Sequence, residues 1–143
     1  MTTTVERTYV VDAPREDLWE LIADARLRAE AISVVETYRV EGDETVWELA
    51  MPIRAIPGTV SVRTHDVERD PPRYVRFVGR SRIMDVEGEH ELIASDEGCR
   101  IRNRFVVRGR FPGVETFFER NVDDEIENLV KTVAARVGAS AGE

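Results

Sequence analysis

Cysteine and lysine are nearly absent from this chain of 143 residues, each occurring once, as Cys99 and Lys131. A lone cysteine excludes an internal disulfide and any metal site built on a cysteine cluster. Histidine is scarce too, with only His65 and His90. Strand alternation puts those two on opposite faces, so they cannot share a metal, and we expect no metal and no other cofactor. No apolar run approaches the ~18 residues of a membrane span, and residues 1–4 lack the charged-then-apolar plan of a signal peptide. We therefore expect no integral membrane segment and a cytoplasmic protein. The patterns G-x-S-x-G, H-E-x-x-H, G-x-G-x-x-G and C-x-x-C are missing, as is a phosphate loop. Their absence lowers the weight of the chemistries they carry. Positive charge is outnumbered as well, with 28 acidic against 20 basic residues and a net charge of −8. That balance argues against nucleic acid or an anionic membrane as partner.

With Lys131 the only lysine, the other 19 basic residues are arginine. Strong acidity with so little lysine resembles the proteins of salt-in halophiles, whose surfaces stay hydrated through carboxylates, and a halophilic archaeon is the expected source. The apolar fraction, 42%, is ordinary, and the length suits a single domain over residues 1–143 with a core of its own.

The longest ordered pattern covers residues 111–137. There Val114, Phe117, Phe118, Val122, Ile126, Leu129, Val130, Val133 and Val137 recur at spacings of three and four, forming one helical stripe. Pro112 suits a first turn and Gly138 a left-handed stop. Acids such as Glu115, Glu119 and Asp123 crowd the front, with Lys131 and Arg136 at the back, matching the helix dipole. At ~1.5 Å per residue this helix runs roughly 36 to 40 Å. So long an apolar stripe needs a broad partner.

The rest of the chain supplies one. Residues 5–11 read as a strand, and Asp12-Ala13-Pro14 as a helix start with Asp12 as cap. Leu18, Leu21 and Ile22 give that short helix its apolar face, and a second short helix covers residues 25–31. From there the period is two. Strands are expected over residues 34–40, 45–51, 59–68, 74–80, 82–94 and 99–107, separated by turns at residues 41–44, 57–58, 69–72 and 95–98. Short links imply antiparallel hairpins. The expected class is α+β: a curved antiparallel sheet of about six to seven strands wrapped around a long C-terminal helix, with two short helices after the first strand.

The opening strand with Asp12-Ala13-Pro14-Arg15-Glu16-Asp17-Leu18-Trp19, the Asp70-Pro71-Pro72-Arg73 turn and the closing helix together resemble the START-like (SRPBCC) superfamily and its helix-grip fold. Within it the chain looks most like the polyketide cyclase/dehydrase and lipid transport group and the G-type accessory proteins of carbon monoxide dehydrogenase. The first resemblance implies a small hydrophobic or aromatic ligand, or a cyclase or dehydratase activity. The second implies a non-catalytic protein partner of a larger enzyme.

Side-chain direction narrows the site. Cys99, Ile101, Asn103, Phe105 and Val107 share one face of the last strand, and Arg100, Arg102, Arg104 and Arg108 the other. Met84, Val86, Gly88, His90, Leu92 and Ala94 point inward, while Asp85, Glu87, Glu89 and Glu91 point outward beside those arginines. Opposite charges across strands read as a salt-bridged, solvated face. His90 and Asn103 are the polar exceptions on the inner face and must be hydrogen-bonded to protein, water or ligand. They are the candidate catalytic residues, a histidine base with an asparagine orienter.

The ligand-binding candidates are Trp47, Leu49, Met51, Phe77, Met84, Val86, His90, Ile101, Asn103, Phe105, Phe117 and Phe118. They would form a cavity wall between sheet and helix, or simply a packed core. Three readings stay open: a carrier or binder of a small hydrophobic molecule, a partner protein with an exposed apolar patch near residues 55–58, and a cyclase or dehydratase.

Overall fold

A computed structural model describes residues 2–50, 58–139 and 141–142, the last two by backbone alone. Its elements run β1 (Thr2–Val11), α1 (Arg15–Ile22), α2 (Ala25–Ala31), β2 (Val35–Glu41), β3 (Glu44–Ala50), β4 (Thr59–Asp70), β5 (Tyr74–Arg80), β6 (Met84–Ser95), β7 (Gly98–Gly109), α3 (Val114–Arg136) and β8 (Ala141–Gly142). Seven long strands and the two-residue β8 make one antiparallel sheet, in the order β2-β3-β4-β5-β6-β7-β1-β8. This is the helix-grip architecture: a curved sheet closed around α3, with two short helices after β1.

The strands form where alternation places them, with buried and exposed residues interleaved along β4, β5 and β6. Their ends run further than composition implies. β1 starts at Thr2 because Thr2 pairs with Arg108 at the end of β7, and β7 carries the ladder on to Gly109. The outward face is the expected lattice of charge. Glu91 lies opposite Arg102 and Glu89 opposite Arg104, each pair bridged at 3.1 Å.

Two expected helix starts are corrected. Pro14, not Asp12, precedes α1, with no side-chain cap. α3 begins at Val114 after Gly113, whose φ of 93° turns the chain sharply enough that Pro112 stays outside the helix. Gly138, with φ 69°, ends it as expected.

The interior has two apolar clusters joined at Phe105. One packs α1 and the C-terminal part of α3 (Ile126, Leu129, Val130, Val133) on Tyr9, Val11, Val75, Leu92 and Ile101. The other gathers Trp47, Leu49, Val60, Val62, Phe77, Met84, Val86 and Val107 beneath the first turns of α3. Gly88 makes the second cluster possible. It sits opposite both Phe77 and Phe105, and a Cβ there would lie 2.3 Å from the Phe77 ring. Met51 and residues 55–57, singled out by the sequence, lie outside the described residues.

Candidate functional site

A cavity of about 50 Å³ opens inside the second cluster, between the inner face of β3–β7 and α3. Strand alternation builds its wall. Trp47 and Leu49 come from β3, Phe77 from β5, Met84, Val86 and His90 from β6, and Phe105 from β7. Phe117 and Phe118 close it from α3, their rings edge to face at 5.6 Å. The half-buried Ile32, Val34, Phe117, Phe118, Asn121 and Glu125 edge its open side, where α3 faces the link from α2 to β2. Glu125 spans that edge, its carboxylate accepting from the backbone N–H of Ser33 at 2.7 Å and from the Ser33 hydroxyl. In this form the space holds water-sized molecules. A ring-sized guest requires rotation of flexible or rim side chains such as Met84, Phe117 and Phe118.

Two inward candidates stand off the wall. Ile101 packs in the first cluster among Val11, Leu92 and Cys99. Asn103 lies behind His90 rather than beside the cavity, directly opposite it across β6 and β7.

His90 is fully buried, its Nδ1 2.8 Å from Asn103 Oδ1. Asn103 Nδ2 donates to the carbonyls of Ile101 at 3.2 Å and Arg7 at 3.3 Å. Those two carbonyls fix the amide, leaving Oδ1 to accept, so Nδ1 of His90 carries the hydrogen and Nε2 is a bare lone pair. Burial, aided by the charge of Arg28, brings the imidazole down to about 4, against the opposing pull of Asn103 and Glu89. It is neutral at pH 7.

Sequence reasoning missed the most unusual wall residue. Arg28 on α2 is 3% exposed and lines the cavity. Its Nη2 lies 2.6 Å from Asp66 Oδ1, and its Cζ sits 5.0 Å from the centre of the Phe77 ring. Burial lowers the guanidinium pKa from its ordinary value, while Asp66 raises it. Two signals pointed there. Ala25, Arg28, Ala29 and Ile32 follow a helical stripe, and Asp66 continues the inward series of Val60, Val62 and Thr64. Among the described residues, no group of three or more His, Cys, Asp or Glu could hold a metal ion, and no helix is long and apolar enough to cross a membrane.

Solved structures share this architecture. A conserved protein from Geobacillus kaustophilus superposes with TM-score 0.72 at 15% identity, covering 99% of this chain and 100% of its own. The Zhui aromatase/cyclase from Streptomyces sp. R1128 gives TM-score 0.69 at 18% identity, covering 96% of each chain. A START superfamily protein from Mycobacterium smegmatis gives 0.72 at 10% identity, over 94% of this chain and 97% of that one. At these identities the likeness carries the fold alone. No curated protein matches the sequence. The family model for polyketide cyclase/dehydrase and lipid transport matches residues 2–134, and the chain belongs to that family.

Proposed function

We propose that the protein binds or carries a small hydrophobic molecule in the cavity between the sheet and α3. One observation carries the reading: aromatic and flexible side chains from four strands and a helix leave space there instead of closing on one another. The family description names both lipid transport and polyketide cyclase/dehydrase, and a cavity of this kind suits the ligands of either.

A second reading, turnover by a cyclase or dehydratase, draws support from the bare Nε2 of His90 on the cavity wall. A base brought down to about 4 has little driving force for proton abstraction at neutral pH. Binding is therefore the stronger reading.

The test is displacement of a polarity-sensitive apolar dye from the folded protein, in high salt, by fatty acids, isoprenoids and aromatics. The reading expects saturable one-to-one binding, lost in Phe117→Arg, whose charge would fill the rim. Absence of saturable binding in folded protein would leave the inner wall as packed core. The enzyme reading expects turnover that His90→Gln abolishes without loss of fold.

A further inference from the structure

Behind the open edge, where Asn121 and Glu125 stand, the cavity wall is apolar except for three side chains at its buried inner end. Among the described residues, four buried polar atoms of the wall residues lack a hydrogen-bond partner: Arg28 Nε and Nη1, Trp47 Nε1 and His90 Nε2. Guanidinium and indole nitrogens only donate, whereas the His90 nitrogen, with Nδ1 holding the hydrogen, only accepts. The three side chains surround one ring. Phe77's centre lies 5.0 Å from Arg28 Cζ, 5.8 Å from the Trp47 ring centre and 6.2 Å from that of His90. Buried donors without acceptors are destabilising, and a charged one most of all, so three side chains with unpartnered polar atoms gathered around one ring on the wall of one cavity call for a partner from outside the chain.

The surrounding charge selects the acceptor. Asp66 already meets the Arg28 charge at 2.6 Å, and Glu125 edges the same cavity. A third carboxylate brought inside would face these two anions with little water to screen them. A neutral carbonyl oxygen satisfies the same N–H groups without that repulsion, and its two lone pairs can take two donors.

We propose that this inner end is a polar subsite for a neutral hydrophobic molecule bearing a carbonyl and a nearby hydroxyl. Arg28 and Trp47 donate to the carbonyl oxygen, and His90 Nε2 accepts from the hydroxyl. The proposal rests on the binding reading above and adds the chemistry of the ligand's buried end.

The full-length protein is titrated calorimetrically with ethylbenzene, acetophenone, 3-hydroxyacetophenone and benzoate, which differ mainly at the polar end. Acetophenone is expected to bind about tenfold more tightly than ethylbenzene, the effect of one charge-assisted hydrogen bond. The hydroxylated ketone should bind more tightly still, and benzoate more weakly than either ketone. Trp47→Phe, which keeps an aromatic ring and removes the N–H, should weaken acetophenone several-fold more than it weakens ethylbenzene. Arg28→Lys, which keeps the charge, should do the same. A readout free of variants is the indole N–H resonance of Trp47, which should move with acetophenone and not with ethylbenzene, Trp19 staying still as a control. Ethylbenzene binding as well as the ketones, or benzoate binding best, would overturn the subsite and leave the cavity reading standing. Failure of every probe to bind the folded protein would overturn both.

Discussion

His90 shows how much one buried side chain can couple to pH. Its folded value of about 4 lies below the ~6.5 of an unfolded histidine, so the folded state binds fewer protons in that interval. The stability this neutral imidazole contributes is fully present above pH 6.5 and is lost as pH falls toward 4. Over that window the loss is on the order of 3 kcal/mol. His90→Gln, which does not titrate there, should therefore close its stability gap to the wild type as denaturation is measured from pH 7 down to pH 4. A gap independent of pH would mean that the imidazole is not held neutral by burial. At this scale the sequence was partly legible. Alternation put His90 and Asn103 on the inner face and left them needing a partner in protein, water or ligand; the structure pairs them with each other. It could not separate the cavity from the core, because period two names a face and not a place along it. Ile101 therefore faces inward yet packs in the other cluster. Arg28 was hidden because a seven-residue helix gives periodicity little to work with. Its partner Asp66 ends the regular inward series of β4, just before the bulge at Val67, and alternation along one strand does not say which residue of α2 lies across from it.

Among the elements, α3 is the cavity wall that faces the sheet. Its C-terminal half is anchored in the first cluster by Ile126, Leu129, Val130 and Val133. Its N-terminal half presents the half-buried Phe117 and Phe118 to open space and is tied to the α2–β2 link by Glu125 and Ser33. Glu125→Ala removes that tie at the half-buried edge of the cavity. It should lower stability by only about 1 kcal/mol and speed dye entry and exit in stopped-flow measurements, with both rates rising together. Unchanged rates would place the entrance elsewhere. The helix itself was readable end to end from its stripe, apart from its first turn, where the left-handed Gly113 delays the start. Strand ends were less readable. Thr2, Thr3 and Thr4 favour strand as β-branched residues, but only the long β7 they pair with fixes them in β1, and that pairing is not a local signal.

At the scale of the whole molecule, the net charge of −8 spreads over a surface where arginine bridges neighbouring strands and lysine is nearly absent. Excess like charge repels itself in the folded state. Going from 0.1 M to 1 M salt shortens the screening length from about 10 to about 3 Å. The paired strand charges lose a little attraction, each pair contributing up to about 1 kcal/mol, while the unpaired acidic excess loses its repulsion. We expect a net gain near 1 kcal/mol, a rise in Tm of about 4 °C. A fall in Tm would show that the bridges outweigh the excess. The architecture as a whole was legible because a long apolar helix and a series of hairpins leave few ways to bury the stripe. Ligand chemistry was not, since it depends on which few polar atoms meet inside.

If the space beneath α3 receives a guest, Met84 reports its arrival most directly. It is 1% exposed, lies on the cavity wall and is one of three methionines, so its labelled methyl carbon gives a countable NMR signal. Titration with ethylbenzene should move the Met84 methyl resonance saturably while Met1 stays in place. A Met84 signal that holds its position throughout, in protein that remains folded, would contradict binding in this cavity.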